Sequence, residues 1–212
     1  MPSTNLATVE LISGQILRFE IDRPEVLLAQ LKASDPEQFF TRNHVYFNNA
    51  NTLVGIPSDK IAFVRFDFPF DPEWEFPVAA SRVELMDREV FESQMAVKQV
   101  QIRLVLQNAL LGTDVVILQR ANLVNGTVLH LSIALKTVPA MIRMQNVEKV
   151  TTMKTYFAHT KDGGYIIFNR AAIAFWHAIP GPLMAPEGAI SFSEELPETS
   201  VPHESQTTFP AK

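Results

Sequence analysis

The pattern of apolar and polar positions divides the chain into short elements, most of them β-strands. Apolar residues between positions 9 and 21 flank Ser13 and Gly14, which is typical of a hairpin whose turn glycine adopts positive φ. Further apolar and β-branched runs predict additional strands at 45–47, 53–56, 60–66, 115–118 and 127–135. The chain is therefore predicted to be mostly β.

A short helix is predicted after the first hairpin. Asp22 is a residue type that caps helices, and Pro24 fits the first helical turn. The apolar residues at helical spacing predict a buried side made of Val26, Leu27, Leu28 and Leu31. We expect the residues at 34–36 to end or kink this helix.

Residues 100–106 are the ambiguous stretch of the pattern. Apolar side chains alternate with polar ones, which favours a half-buried strand. A helix that ends at Gly112 is the alternative.

Two stretches of the chain resemble each other at a fixed spacing. Residues 11–21 align without a gap with residues 123–133, and the Leu, Gly, Leu and Ile positions are identical. The sequence Ile-Ala-Phe occurs at 61–63 and again at 173–175, at the same spacing that separates Leu11 from Leu123. We call this the repeat spacing. These matches predict an internal duplication.

Two further matches are less regular. Tyr46-Phe47 pairs with Tyr156-Phe157, two residues out of register with the repeat spacing. Residues 83–91 echo residues 9–17, which suggests a third copy at 82–120. Ordinary similarity between two hairpins is the alternative for that middle region.

The repeated unit resembles the small barrels of the Sm-like and SH3-like group. The resemblance is carried by residues 9–21 with 56–64, and by 123–133 with 168–176. It implies two tandem small barrel units with short inserted helices, with a third unit left open. The RNA-binding residues of Sm-like proteins do not carry over onto the loops at 57–59 and 169–171, so the resemblance concerns the fold.

This reading divides the chain into four regions. A small β-barrel unit at 1–66 is followed by a connector at 67–77 that is rich in aromatic, acidic and proline residues. A second β-rich domain at 78–179 follows, with units at 82–120 and 121–178 as its subdivision, and a Pro/Ser/Glu-rich tail occupies 180–212.

The connector and the tail hold the candidate partner-binding residues. Prolines in the connector forbid continuous strand pairing, so its aromatic side chains either pack on the chain's own units or anchor a partner. Apolar residues in the tail are the corresponding anchors there. The candidates are Phe68, Phe70, Trp74, Phe76, Leu183, Phe192 and Phe209.

Composition and charge narrow the functional classes. The 212 residues are 47% hydrophobic and 19% charged, which is enough apolar material for a sizeable core. The net charge of −5, without a run of Lys or Arg, makes nucleic acid an unlikely partner. The chain has no cysteine, which excludes disulfides and thiolate chemistry.

No membrane or export signal is expected. The N-terminus lacks a basic region followed by an apolar stretch, and polar residues interrupt the apolar region at 100–118. We expect a cytoplasmic protein without a membrane span.

Catalytic motifs are not evident in the sequence. None of the five histidines forms an HxH or HxxxH pair, and no nucleotide-binding loop or nucleophile elbow is present. Asp162 with Gly163 and Gly164 is a β-turn by composition, with a catalytic or metal loop as the alternative. We expect no catalytic residues, no cofactor and no metal site.

The leading hypothesis is a non-enzymatic protein-interaction or scaffolding protein that acts within an oligomer or a larger complex. A protein partner or self-association is expected. One alternative is an Sm-like nucleic-acid-binding module, with a positive face built from Arg65, Arg82, Arg103 and Arg120. Another is a small-ligand or enzyme site between the β units, near His159 and Asp162.

Overall fold

The computed structural model describes residues 5–48, 51–76, 80–95, 114–136, 150 and 152–179. Within these residues the prediction of a mostly β chain is confirmed, because eleven strands account for most of the regular structure. The strands are β1 Leu6–Leu11, β2 Ile16–Glu20, β3 His44–Asn48, β4 Leu53–Pro57, β5 Ile61–Phe66, β6 Ala80–Leu85, β7 Asp114–Leu123, β8 Val128–Lys136, β9 Thr155–His159, β10 Tyr165–Asn169 and β11 Ile173–Ile179.

The described strands form two sheets. Nine of them lie in one sheet in the order β11-β7-β8-β6-β9-β10-β5-β1-β2, and β3 with β4 forms a separate two-stranded sheet. No closed barrel is found among them. β6 lies between β8 and β9, and β3 contacts β2 through the stacked rings of Phe19 and Phe47 and not through a ladder.

The strands before and after the middle of the chain repeat one pairing scheme. β1 pairs with β2 and β5, and β7 pairs with β8 and β11. The register is also the same: Leu11 opposes Ile61, and Leu123 opposes Ile173, so both partners move by the repeat spacing. Both pairings have an irregularity next to that position. We call residues 6–66 the first half and residues 114–179 the second half.

The hairpins β3–β4 and β9–β10 also correspond, with one change of register. Leu53 begins β4 and Tyr165 begins β10, again at the repeat spacing, and each strand leads into a 3-10 helix. Across the hairpins, Tyr46 opposes Gly55 and Phe157 opposes Ile167. Tyr46 therefore corresponds to Phe157, one residue away from the predicted match with Tyr156. The reason is that the β9–β10 loop is one residue longer than the β3–β4 loop.

One strand pair joins the halves. β10 of the second half pairs antiparallel with β5 of the first, so a single sheet runs through both. Two hydrophobic cores lie on either side of this junction. The first contains Val64, Tyr165 and Ile167, and the second contains Phe63 and Phe168.

The predicted helix is present as α1, Pro24–Lys32. Arg23 precedes it without a side-chain cap, so the expected capping by Asp22 is not observed. Leu31 is buried and Val26 is exposed, because α1 rests on the first core along a narrow stripe. The chain then enters a 3-10 helix at Pro36–Gln38, as expected from the break at 34–36.

The middle of the chain differs from the two hairpins. Residues 88–95 form a helix, α2, where the sequence echo with residues 9–17 predicts a second strand. The echo therefore links segments of different secondary structure. The predicted strand at 100–106 and the tail at 180–212 lie outside the described residues.

Candidate functional site

Four of the described strands pair with a single neighbour: β2, β3, β4 and β11. β2 and β3 contact each other through side chains, since the rings of Phe19 and Phe47 stack with their centroids 4.0 Å apart. β4 and β11 remain, with β3 and β7 as their respective neighbours. A strand with one neighbour presents a row of unpaired N–H and C=O groups, which another chain can use to add a strand. We call these the β4 edge and the β11 edge.

Large apolar side chains accompany the β4 edge. Along β4, Val54 and Ile56 face the first core, so Leu53 and Gly55 face away from it. Across the hairpin, Tyr46 opposes Gly55, and its Cε1 lies 3.0 Å from the place where a side chain on Gly55 would begin. The Tyr46 ring therefore lies over the glycine, and both Tyr46 and Leu53 are exposed.

The β11 edge carries two exposed aromatic side chains. Ile173 packs against the second core at the start of the strand, and Phe175 and Trp176 follow in exposed positions. The strand is held from its inner side, where His177 opposes Arg120 of β7. Burying exposed aromatic rings is a common source of interface energy, so both edges suit a protein partner.

The aromatic residues predicted to bind a partner in the connector pack into the chain itself. Phe68, Phe70 and Trp74 are buried in the first core, and Phe76 packs against it from a half-buried position. The Trp74 Nε1 donates a hydrogen bond to the Leu31 carbonyl over 2.8 Å. The connector aromatics thus pack on the chain's own units, which is one of the two expectations for them. This packing leaves their side chains little surface for a partner. The tail candidates Leu183, Phe192 and Phe209 lie outside the described residues.

A cleft of about 850 Å³ lies where the two halves meet. Arg42, Lys154 and Arg170 line it with a single carboxylate, that of Asp59. Asp59 is already paired with Lys60 at 3.1 Å. The cleft is thus locally cationic in a chain whose net charge is −5.

Aromatic and polar groups complete the cleft wall. Tyr156, Phe175 and Trp176 line it, and burial raises the pKa of the Tyr156 hydroxyl, with nearby Arg170 acting in the opposite direction. That hydroxyl donates to the Val150 carbonyl. The Oγ of Ser58, another lining residue, is buried without a hydrogen-bond partner. Such a wall suits a ligand with an anionic group and a planar ring.

His159 and Asp162, the expected ligand site, do not line this cleft. His159 packs edge-on against Phe76 and Tyr165. Asp162 lies in the tight turn between β9 and β10, where the Gly163 amide donates to the Thr160 carbonyl and Gly163 has a φ of +80°. The turn interpretation of this cluster agrees with the structure.

The arginines proposed for a positive face are dispersed. Arg65 on β5 is paired with Asp67, and Arg82 on β6 is paired with Glu84. Arg120 lies on β7 opposite His130, two strands away from β6. Arg103 lies outside the described residues.

Perturbed titrating groups in the described residues have structural causes. Burial raises the pKa of Tyr165 far above its usual value, and the Asp71 carboxylate adds to the effect. Burial lowers the pKa of His130, which packs against Phe91. Among the described residues no group of three or more His, Asp or Glu side chains is placed to hold a metal ion. No helix within the same residues is long and apolar enough to cross a membrane.

Comparison with known proteins finds no matching family model, no matching curated protein and no matching solved structure. Sequence reasoning led us to expect open sheet edges, but it missed that β4 and β11 carry them. One signal was available: Phe175-Trp176 follows the same Ile-Ala pair as Phe63-Val64, so an aromatic residue stands where the first half has valine.

Proposed function

We propose that this protein is a non-enzymatic protein-interaction or scaffolding protein that binds partners by strand addition at the β4 and β11 edges. The observation that carries the proposal is that each of these edges, unpaired among the described residues, coincides with exposed large apolar side chains. Main-chain hydrogen bonds give such contacts their affinity, and side-chain pockets give them their specificity.

The proposal includes a duplicated architecture. The two halves are two copies of one small unit that resembles Sm-like and SH3-like folds, opened into a continuous sheet. Support comes from the matching registers of β1–β5 and β7–β11. The turns also match, since the Gly14 amide donates to the Leu11 carbonyl and the Gly126 amide donates to the Leu123 carbonyl, with both glycines at positive φ.

The test is to place a charge on each edge. We expect Leu53→Lys and Trp176→Lys to lower the mass of the purified protein in size-exclusion chromatography with light scattering, or to remove proteins captured from the native host. Val26→Lys is the matched control, because Val26 is an exposed apolar residue on α1 and belongs to neither edge. Circular dichroism establishes that each variant is folded.

One result would contradict the proposed function. If the wild-type protein is monomeric at every concentration, and if both edge variants capture the same host proteins as Val26→Lys, the edges do not bind partners.

Binding of an anionic ligand with a planar ring is the second candidate function. The cationic and aromatic wall of the cleft favours it. The probe is a nucleoside triphosphate titrated by calorimetry against wild type, Arg170→Gln and the control Arg82→Gln, since Arg82 does not line the cleft. Weaker binding by Arg170→Gln alone supports the site. Equal binding by all three proteins, or none at all, refutes it.

A further inference from the structure

We infer that the partner at these edges is a second copy of this chain, joined head to tail, with β4 of one copy paired antiparallel to β11 of the next and Gly55 opposite Trp176. The inference rests on the proposed function and names its partner. It is argued from a contact that the molecule already contains, the junction between its two halves.

The template is the pairing of β10 with β5. Ile167 opposes Val64 and Phe168 opposes Phe63 at this junction. β10 is the second-half counterpart of β4, and β5 is the first-half counterpart of β11. Each half therefore has the same two edges, but the junction uses only one edge from each. Among the described strands, β4 and β11 carry the counterparts of the two edges that the junction uses.

The register of the new contact follows from the template pairs. Each β10 residue is replaced by the β4 residue that precedes it by the repeat spacing, and each β5 residue by the β11 residue that follows it by the same spacing. Ile167 is replaced by Gly55 and Val64 by Trp176, so a large side chain meets the smallest one. Phe168 is replaced by Ile56 and Phe63 by Phe175. Because the Tyr46 ring already lies over Gly55, the Trp176 indole lies beside that ring in the new contact, as a cross-strand aromatic pair.

Exposure separates the template positions from their counterparts. Tyr165 is 1% exposed at the junction, and its counterpart Leu53 is 67% exposed. Phe157 is 4% exposed, and its counterpart Tyr46 is 61% exposed. Val64 is fully buried, and its counterpart Trp176 is 44% exposed. The junction therefore buries apolar side chains. Their counterparts at the β4 and β11 edges are also apolar, but they are exposed.

A buried amide on β7, next to the β11 edge, also lacks the partner that its counterpart at the junction has. At the junction the Asn125 Nδ2 donates to the Glu10 Oε1 over 2.6 Å, and the Thr127 hydroxyl donates to the same carboxylate. The counterpart of Glu10 is Asn122, whose Nδ2 is buried without a hydrogen-bond partner.

The counterparts of Asn125 and Thr127 on the next copy are Ser13 and Gln15, which are exposed and carry acceptor oxygens. The Asn122 Nδ2 has no exposed surface in one chain, so in the head-to-tail contact its carboxamide turns outward to donate to these oxygens. The contact thus supplies the partner that this buried amide lacks within one chain.

The contact is heterologous, because β4 and β11 are different surfaces. Each copy therefore uses both edges, and the assembly grows until it closes into a ring or continues as a filament. The mass of the assembly distinguishes these two forms.

Cysteine cross-linking tests the register, because the natural chain has no cysteine. The transferred register places Leu53 of one copy opposite Ala178 of the next. Opposed residues of antiparallel strands have Cα atoms about 4.5–5.5 Å apart, within the range of a disulfide. Leu53→Cys and Ala178→Cys are prepared as separate full-length proteins with tags of different size, mixed and oxidised.

We expect the mixture to give a covalent heterodimer as its main product. Leu53→Cys mixed with Ala174→Cys is the register control, since Ala174 is exposed on the same strand four residues away, and we expect loss of the product there. A second measurement uses Asn122→Leu, which we expect to remain folded and to lower the mass of the assembly.

Other occupants of the edges give different results. If the two mixtures cross-link equally, or neither does, the head-to-tail register is wrong. If no cross-link forms but Trp176→Lys still loses host proteins that Val26→Lys retains, the partner is another protein and the proposed function stands. If neither effect is seen, both fail. The inference would also be overturned if Leu53→Cys and Ala178→Cys, combined in one protein, formed a disulfide within a single chain.

Discussion

The β10–β5 junction and the β4 and β11 edges are matching places with opposite environments. The junction strands have partners on both sides and carry buried Tyr165, Ile167 and Val64. The edges carry Leu53, Gly55 and Trp176 at the corresponding positions, uncovered. The difference indicates that the backbone arrangement is common to both places, and that the contact made across it decides which side chains contribute to stability.

The largest expected effect comes from truncating an aromatic ring on the junction side. Phe157→Ala should lower the free energy of unfolding by about 3–5 kcal/mol, because it leaves a cavity among Trp74, Phe76 and Tyr165. Tyr46→Ala, its counterpart, should change it by less than about 1 kcal/mol in the monomer, since the ring is exposed. Urea denaturation measures both. Equal losses would break the comparison.

A smaller effect is expected from crowding the junction backbone. A side chain on Gly164 would begin 2.2 Å from the Phe66 carbonyl oxygen, so Gly164→Ala must shift one strand against the other. We expect a loss of about 3 kcal/mol in the free energy of unfolding. Gly14→Ala is the control: it has open space around it but a φ of +83°, and should cost about 1 kcal/mol. A thermal melt in which Gly164→Ala is as stable as wild type would refute the close approach.

The hydrogen bonds that Glu10 accepts across the junction should contribute less to the free energy of unfolding. Glu10→Ala removes the acceptor of Asn125 and Thr127, and we expect a loss of about 1–2 kcal/mol in the free energy of unfolding. Asn122→Leu, at the matching place, should be nearly neutral in the monomer because its amide has no partner to lose. Chemical denaturation at low protein concentration checks the pair. A larger loss in Asn122→Leu than in Glu10→Ala would contradict the assignment.

The smallest effect is a pH dependence confined to the second half. Burial lowers the pKa of His130, with Arg120 acting in the same direction, below its ordinary value of 6.5. The unfolded chain therefore binds a proton more readily than the folded one, and stability falls as the pH drops below 6.5. His130→Gln should flatten the dependence of the melting temperature on pH in this range. The counterpart of His130 is Arg18, and Arg18→Gln is the control that should leave the slope unchanged.

Local features of the fold could be predicted from the sequence because they depend on residues near in the chain. The turn glycines at 14 and 126 have positive φ, and Pro24 begins α1, as their residue types suggest. The repeat spacing also concerns residues that are distant in the chain, since Leu123 and Ile173, which it singles out, lie opposite each other in the pairing of β7 with β11. The match of Tyr46 with Tyr156 was wrong by one residue, because the β9–β10 loop is one residue longer than the β3–β4 loop. The alternation of apolar residues within the strands does not reveal a difference in loop length.

The candidate site could not be predicted in the same way. Alternation along β4 and β11 indicates which side chains share a face, but not whether a neighbouring strand covers them. The connector aromatics drew attention because they are dense in sequence, yet Trp74 and Phe70 are buried against Tyr165, a residue distant in the chain. Exposed Leu53 and Trp176 are ordinary strand residues until the strand order is known.

By itself, the sequence determined the mostly β class, the turns and α1, since these follow from backbone preferences and short-range periodicity. Only the tertiary structure decided that β10 joins β5 and that, within the described part of the chain, the sheet does not close and β4 and β11 each pair with a single strand. The physical reason is that backbone N–H and C=O groups are the same in every strand. Which edges meet is settled by the packing of side chains far apart in the chain, such as Phe63, Phe157 and Tyr165.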